Sequence, residues 1–261
     1  MKSKTNPAGK TIDMTVEINA DPEEVWKAIS EAEGLERWFP LQAKVDQGIG
    51  GSMTWSWGPG CEGTSRIEQW EEGRKIRLVE GPGKPDAAPV IIEFLIEGRG
   101  GKTILRLVNS GFDPGPDWAE YVDTVHSGWQ YFLWNLKLYL ERHKGTPRRM
   151  VWQRCKLSLP KADLWRRILA SGGLAATAMP ATEGAAVTLW SGHAGVVKHL
   201  MAPIHLAAHF PSLNDAALLI ELEPGDSYHL GIWLSLYGVE EDRVQEIESS
   251  LAVIVGSLAD G

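Results

Sequence analysis

Long hydrophobic runs are missing from this 261-residue sequence. No stretch approaches the roughly 18 consecutive apolar residues that a membrane-spanning helix needs, which argues against membrane insertion. The opening residues, MKSKTNPAGKT, are polar and lack the apolar core of a secretory leader. Cysteine is scarce: Cys61 and Cys155 are the only two and lie far apart. They read as reduced thiols, and the expected location is cytoplasmic. Positive charge is also short, with 26 Lys and Arg against 34 Asp and Glu, a net charge of −8. A surface of that sign offers no basic track for phosphates, so nucleic acid is not an expected partner. The glycine clusters at 48–51 and 98–101 do not open a helix, as a phosphate-cradling loop must, and no cofactor is expected. No Gly-x-Ser-x-Gly nucleophile motif is present.

Tryptophan is abundant instead. There are 12 Trp against 5 Tyr and 5 Phe, and eight of the 12 fall before residue 150. Indole is large and its N–H needs a partner when buried, so such a composition points to an aromatic-walled core or a concave apolar site.

The first half has a readable order. Thr11–Ala20 alternates, with Ile12, Met14, Val16 and Ile18 on one face, as in a half-buried strand. Asp21 with Pro22 and Glu24 predicts a capped helix start, and Val25, Trp26 and Ile29 its apolar side. A turn then leads to Trp38-Phe39-Pro40. Met53, Trp55 and Trp57 alternate with Ser52, Thr54 and Ser56, which puts the large residues on one face. Strands are expected near 62–70, 74–80, 89–97 and 102–110, the last two joined at Gly98–Gly101. From Asp117 to Lys144 apolar residues recur every three or four positions, predicting an amphipathic helix about 40 Å long. A long helix after a meander fits the concave face of a curved sheet.

The second half repeats this plan. Val16–Ile29 lies on Cys155–Ile168 without a gap, pairing Trp26 with Trp165 and Ile29 with Ile168, and Gly34-Leu35 then meets Gly173-Leu174. Strands are expected near 185–190, 194–200, 203–210, 216–222 and 228–237, followed by a helix over 240–258. Two copies of one unit are therefore expected, at 11–146 and 150–259.

Residues 11–146 resemble the helix-grip domains of the SRPBCC superfamily, which includes START-like, pollen-allergen and polyketide-cyclase-like proteins. The nearest likeness is to bacterial proteins named after the activator of heat-shock-protein-90 ATPase. The carriers are Ile18–Trp26, Trp38-Phe39-Pro40, Gly50-Gly51, Thr103–Phe112 and Gly128-Trp129 with Leu136. The second half resembles a degenerate copy that lacks the Trp-Phe-Pro and Gly-Trp elements. The resemblance implies an α+β fold of two helix-grip units, each a curved antiparallel sheet wrapped around a long C-terminal helix. It implies seven strands in the first sheet, and an apolar cavity. Members bind lipids, hormones or polyketides, and a few catalyse cyclisation or hydration.

The expected ligand-binding residues are Trp38, Phe39, Met53, Trp55, Trp57, Phe94, Leu105, Tyr121, His126, Trp129 and Phe132. Strand parity turns Met53, Trp55, Trp57, Ile92, Phe94, Leu105 and Leu107 inward. Glu93 is out of phase and faces outward, and no second carboxylate is expected near it. Trp118 and Trp134 read as helix packing, and Trp70 as a surface or sheet-edge residue. The five histidines of the second half, His193, His199, His205, His209 and His229, are poorly spaced for a metal: His205 and His209 would stand about 13 Å apart along one strand. No metal and no catalytic residue is assigned. The leading expectation is a binder of a small apolar or lipid-like ligand. The alternatives are a cyclase-type enzyme using His126, Tyr121 and Asn109, or a stress-response module whose partner is a chaperone or a second copy of the chain.

Overall fold

The computed structural model describes residues 2–3, 10–81, 89–112, 115, 118–156, 159–170, 173–174, 182–223 and 229–259. Asp117, the expected start of the long helix, Leu157 and Ser158 of the aligned stretch, and Tyr228 lie outside these residues. The chain divides into two units: Met1–His126 with Phe132–Lys144, and Ser127–Tyr131 with Gly145–Gly261.

In unit 1, β1 (Lys2–Ser3) and β2 (Ile12–Ile18) are followed by α1 (Pro22–Ser30), α2 (Ala32–Glu36), β3 (Gln42–Asp46), β4 (Ser52–Ser56), β5 (Glu62–Glu71), β6 (Lys75–Glu80), β7 (Ile91–Arg99), β8 (Lys102–Ser110) and α3 (Ala119–Arg142). The strands form one antiparallel sheet in the order β1-β2-β8-β7-β6-β5-β4-β3. Seven strands were expected; the eighth is Lys2–Ser3, which pairs with Thr15 and Met14. Strand β3 has no counterpart in the sequence reading. Gln42, Lys44 and Asp46 are exposed and Ala43 and Val45 only half-buried, so its alternation is faint.

Alternation accounts for the rest of the sheet. Ile12, Met14 and Ile18 are buried on β2 while Asp13, Thr15 and Glu17 turn outward. Leu105 and Leu107, Ile92 and Phe94, and Ile76 and Leu78 continue the same inner face across β8, β7 and β6. Gly100 and Gly101 form the two-residue turn between β7 and β8, both at positive φ (59° and 81°). A turn with two left-handed residues matches the twist of the strands, and glycine reaches that conformation without a Cβ clash. Between Ile67 and Gln69 the β5–β6 register slips by a bulge, which adds bend to the sheet.

Pro22 opens α1, where its missing N–H costs nothing. The expected Asp21–Glu24 capping box is not formed. Asp21 is extended but its side chain makes no capping bond; its backbone carbonyl takes the Glu24 and Val25 N–H groups at 3.0 and 3.2 Å. Glu24 is engaged elsewhere, since its carboxylate pairs with Lys144. At the far end of α3, Lys137 donates to the Glu17 carbonyl (2.6 Å) and to Glu141 (2.7 Å), and Glu141 accepts the Asn19 N–H (2.8 Å). The helix is thereby tied to the end of β2.

Unit 2 contains β9 (Arg148–Lys156), α4 (Lys161–Leu169), β10 (Ala186–Thr188), β11 (Ala194–Met201), β12 (His205–Phe210), a 3-10 turn at Pro211–Leu213, β13 (Ala216–Leu222), β14 (His229–Tyr237) and α5 (Glu241–Ala259). Its antiparallel sheet runs β10-β11-β12-β13-β14-β9. Leu206, Leu218, Ile232 and Leu234 from the sheet pack with Trp165 and with Val244, Ile247 and Leu251 in one continuous apolar core. Helices α1 and α4 have nine residues each and carry Trp26 and Trp165 buried at equivalent places, with Ile29 and Ile168 fully buried. The fold is α+β with two helix-grip-like units.

Candidate functional site

The Trp-Phe-Pro segment after α2 organises the inner side of unit 1. Trp38 is fully buried and its indole N–H donates to the Ala28 carbonyl at 2.8 Å. The side-chain amide of Asn135 on α3 donates to the Trp38 carbonyl, also at 2.8 Å. These two bonds fix the backbone between α1 and α3, and the next residue is aimed from there.

That residue, Phe39, is the hub of an aromatic group. Its ring stacks on Trp38 (5.3 Å between centroids) and meets Phe132, Trp57 and Trp55 edge-on at 4.9, 5.5 and 5.9 Å. Trp57 also contacts Phe132 at 5.1 Å. Strand β4 ends at Ser56, so Trp57 reaches the group from just beyond the strand. Phe39, Trp55, Trp57 and Phe132 are each only half-buried. Met53, Phe94 and Leu105 are buried beneath the inner face. Trp55 lies over Gly63: a Cβ at that glycine would come within 2.4 Å of the indole nitrogen. Glycine there leaves the room that the ring occupies.

Other expected site residues fall elsewhere. Tyr121 is 38% exposed, not turned fully inward, and groups with Phe112 (6.2 Å) and Trp118 (5.4 Å). Trp118 therefore packs in an aromatic group with the loop residue Phe112. Trp129 is buried, in the turn of α3 that groups with unit 2. His126 is half-buried on α3. Trp70 is not an isolated edge residue, because its ring packs edge-on against Trp26 at 5.1 Å.

A residue absent from the sequence expectations also faces inward. Glu80 shares the parity of Ile76 and Leu78 on β6, and its cross-strand partner is the buried Ser65. Ser65 in turn pairs with Met53, so Glu80, Ser65 and Met53 form one row across the inner face. Burial pushes the Glu80 carboxyl above its ordinary range, and the Ser65 hydroxyl opposes that shift. The Tyr121 hydroxyl is raised as well, by burial and then by the charge of Glu80. The parity signal was present in Leu78-Val79-Glu80. Glu93 does face outward, paired with Lys75 (2.9 Å) and Arg77 (3.2 Å). A separate groove of about 380 Å³ lies toward that outer face, beside Thr15, Lys75, Leu95, Ile104 and Arg106. Arg106 is held there by both oxygens of Asp13.

Four histidines of unit 2 each have their own polar neighbour, and the His199 and His205 rings meet edge-on at 5.1 Å. His193 meets Ser191 (3.1 Å), His199 meets Glu183 (2.9 Å), His209 meets Asp215 (2.9 Å) and His229 lies 3.4 Å from Glu223. His205 is fully buried. Among the described residues, no group of three or more His, Cys, Asp or Glu is arranged to hold a metal. The Cys155 thiol is pushed up by burial, away from the thiolate that nucleophilic chemistry requires. Among the described residues, no helix is long and apolar enough to cross a membrane.

An antiparallel sheet, a long C-terminal helix and aromatic residues between them define a helix-grip-like α+β unit. Residues 19–141 match the family described as Activator of Hsp90 ATPase homolog 1-like protein. No curated protein matches the chain. Among solved structures, the Aha1 dimer from Colwellia psychrerythraea is 20% identical, covering 52% of this chain and 98% of that one, with a TM-score of 0.47. Protein MLL2253 from Mesorhizobium loti is 21% identical over 52% and 99% of the two chains, with a TM-score of 0.47. DynU16, a putative protein in the dynemicin biosynthetic locus, is 17% identical over 96% of each chain, with a TM-score of 0.44.

Proposed function

We propose that unit 1 binds a small apolar or lipid-like ligand between α3 and the inner face of its sheet, without chemistry of its own. Phe39, Trp55, Trp57 and Phe132 form the walls, and Met53, Phe94 and Leu105 the floor. One observation carries the reading: four large rings converge on one place, yet each stays half-buried. Although the rings touch each other, part of their apolar surface stays open, and burial of such surface stabilises by about 25 cal/mol per Å². A ligand that dries these ring faces gains that stabilisation, and the indole N–H groups supply polar handles.

Titration with apolar compounds while following tryptophan fluorescence and melting temperature tests the proposal. Binding quenches the indoles and raises the melting temperature by linkage. Trp55→Ala reduces both effects. A panel of apolar aromatic and alkyl compounds that moves neither observable contradicts the proposal.

A further inference from the structure

We propose that Glu80 is the polar anchor of this hollow, and that it selects ligands whose apolar body carries a protonated amine. The inference rests on the ligand-binding reading above and adds a chemical class to it.

The inner-face positions of β2 to β8 are Ile12, Met14, Val16 and Ile18; Ala43 and Val45; Met53 and Trp55; Gly63, Ser65, Ile67 and, past the bulge, Trp70; Ile76, Leu78 and Glu80; Ile92, Phe94, Ile96 and Gly98; and Thr103, Leu105, Leu107 and Asn109. Among these described positions, Glu80 alone is ionisable. Among the described residues, its neighbours offer no neutralising charge. Ser65 faces it from β5, Val90 follows it at the start of the next strand, and Tyr121 is the titratable group that bears on it from α3. Lys75 and Arg77 have the opposite parity and are committed to Glu93 and Glu68 on the outer face. No ion pair to Glu80 is formed among the described residues.

A carboxylate in that position is partly stripped of water, the Ser65 hydroxyl offsets only part of the loss, and its proton affinity is raised accordingly. The ligand group that relieves this most is a cation. A charge-assisted hydrogen bond is roughly twice as strong as a neutral one. The faces of Trp55, Trp57, Phe39 and Phe132 attract cations as well. A carboxylate ligand such as a fatty acid meets like charge instead, and a neutral alcohol gains only an ordinary hydrogen bond. Spacing also fits: β6 and β4 are two strands apart, about 10 Å, so Glu80 and the aromatic group lie at opposite ends of one short ligand. A bicyclic aromatic ring with a two-carbon arm bridges that span.

Calorimetric titration of the full chain at pH 8 with 2-(2-naphthyl)ethylamine, 2-(2-naphthyl)ethanol and 2-naphthylacetate tests the assignment. The amine should bind at least tenfold more tightly than the alcohol, and the acetate most weakly. In Glu80→Gln the amine should fall to the level of the alcohol, whose own affinity stays within twofold. Glu93→Gln, on the outer face, should keep the wild-type order. Repeating the wild-type titration at pH 4, below the ordinary carboxyl value of 4.5, gives a readout that needs no variant: as Glu80 takes up its proton the advantage of the amine shrinks and the alcohol is unchanged. Equal binding of all three probes, or an amine preference that survives both Glu80→Gln and pH 4, overturns the assignment while leaving the ligand-binding reading intact. Failure of all three to bind overturns the ligand-binding reading, and the inference with it.

Discussion

Ser65 and Glu80 stand directly opposite each other across the β5–β6 ladder, on the inner face of the unit 1 sheet. Ser65 is fully buried and Glu80 half-buried. A serine and a carboxyl therefore interrupt a largely apolar face. One row further, past Met53, the aromatic group around Phe39 begins. The inner face thus has an apolar end and a polar end, set by strand register.

Gly63→Ala tests how the apolar end is shaped. The new methyl would press on the Trp55 indole at 2.4 Å, and Trp55 is half-buried and able to swing away. Stability should fall by about 1–3 kcal/mol, the ordinary cost of overpacking. The Trp55 indole N–H resonance should move, and affinity for apolar probes should drop. An unmoved Trp55 signal would contradict the placement.

Asn135→Ala removes the donor to the Trp38 carbonyl in a buried setting. An unpartnered buried carbonyl costs about 1–3 kcal/mol, so the urea midpoint should fall accordingly. Trp38→Phe should also destabilise, because the Ala28 carbonyl loses its N–H. The two share one network, so their effects should not add. A strictly additive double variant would show that Asn135 and Trp38 act independently.

His205 and Glu221 are direct partners across the β12–β13 ladder and titrate in opposite senses. Burial, then the charge of His199, pushes His205 down to about 3 from an ordinary 6.5. The unfolded chain takes that proton first, so stability from the neutral imidazole is full above pH 6.5 and lost as pH falls toward 3. Burial, then Glu223, pushes Glu221 up to about 7 from 4.5. Its contribution is full below pH 4.5 and lost as pH rises toward 7. Between pH 4.5 and 6.5 the two slopes oppose. Denaturant titrations at several pH values should show this in single variants. His205→Asn should lose stability as pH rises through this window, and Glu221→Gln should lose it as pH falls, each by up to about 1.4 kcal/mol per pH unit. Parallel pH profiles for the two variants would rule the account out.

Much of unit 1 was legible because its signals are local. Alternation at Ile12–Ile18, the proline at Pro22, the glycine turn at 100–101 and the helical spacing through Leu133, Leu136 and Leu140 each follow from short-range geometry. Strand β3 escaped because an exposed edge strand has little apolar pattern to read. Glu80 has the inward parity of Leu78, but a charge at a strand end reads as surface until its partner Ser65 is known, and that pairing is set by register across two strands. Tyr121 illustrates the converse. Helical periodicity placed it on the inner side, while position in the first turn of α3 leaves it 38% exposed. In unit 2, β14 is buried on nearly every residue, so alternation could not separate its two faces. The burial of His205 came from packing that spacing alone does not reveal.

The central claim is that a ligand enters among Phe39, Trp55, Trp57 and Phe132. Indole-labelled NMR of the full chain titrated with 2-(2-naphthyl)ethanol tests it most directly, because each tryptophan reports its own surroundings. The account predicts saturable shifts of the Trp55 and Trp57 indole N–H signals, lost in Phe39→Ala. Trp165, in the filled core of unit 2, should stay in place. Shifts confined to Trp165 or to the other unit 2 indoles, with Trp55 and Trp57 unmoved at saturation, would contradict it.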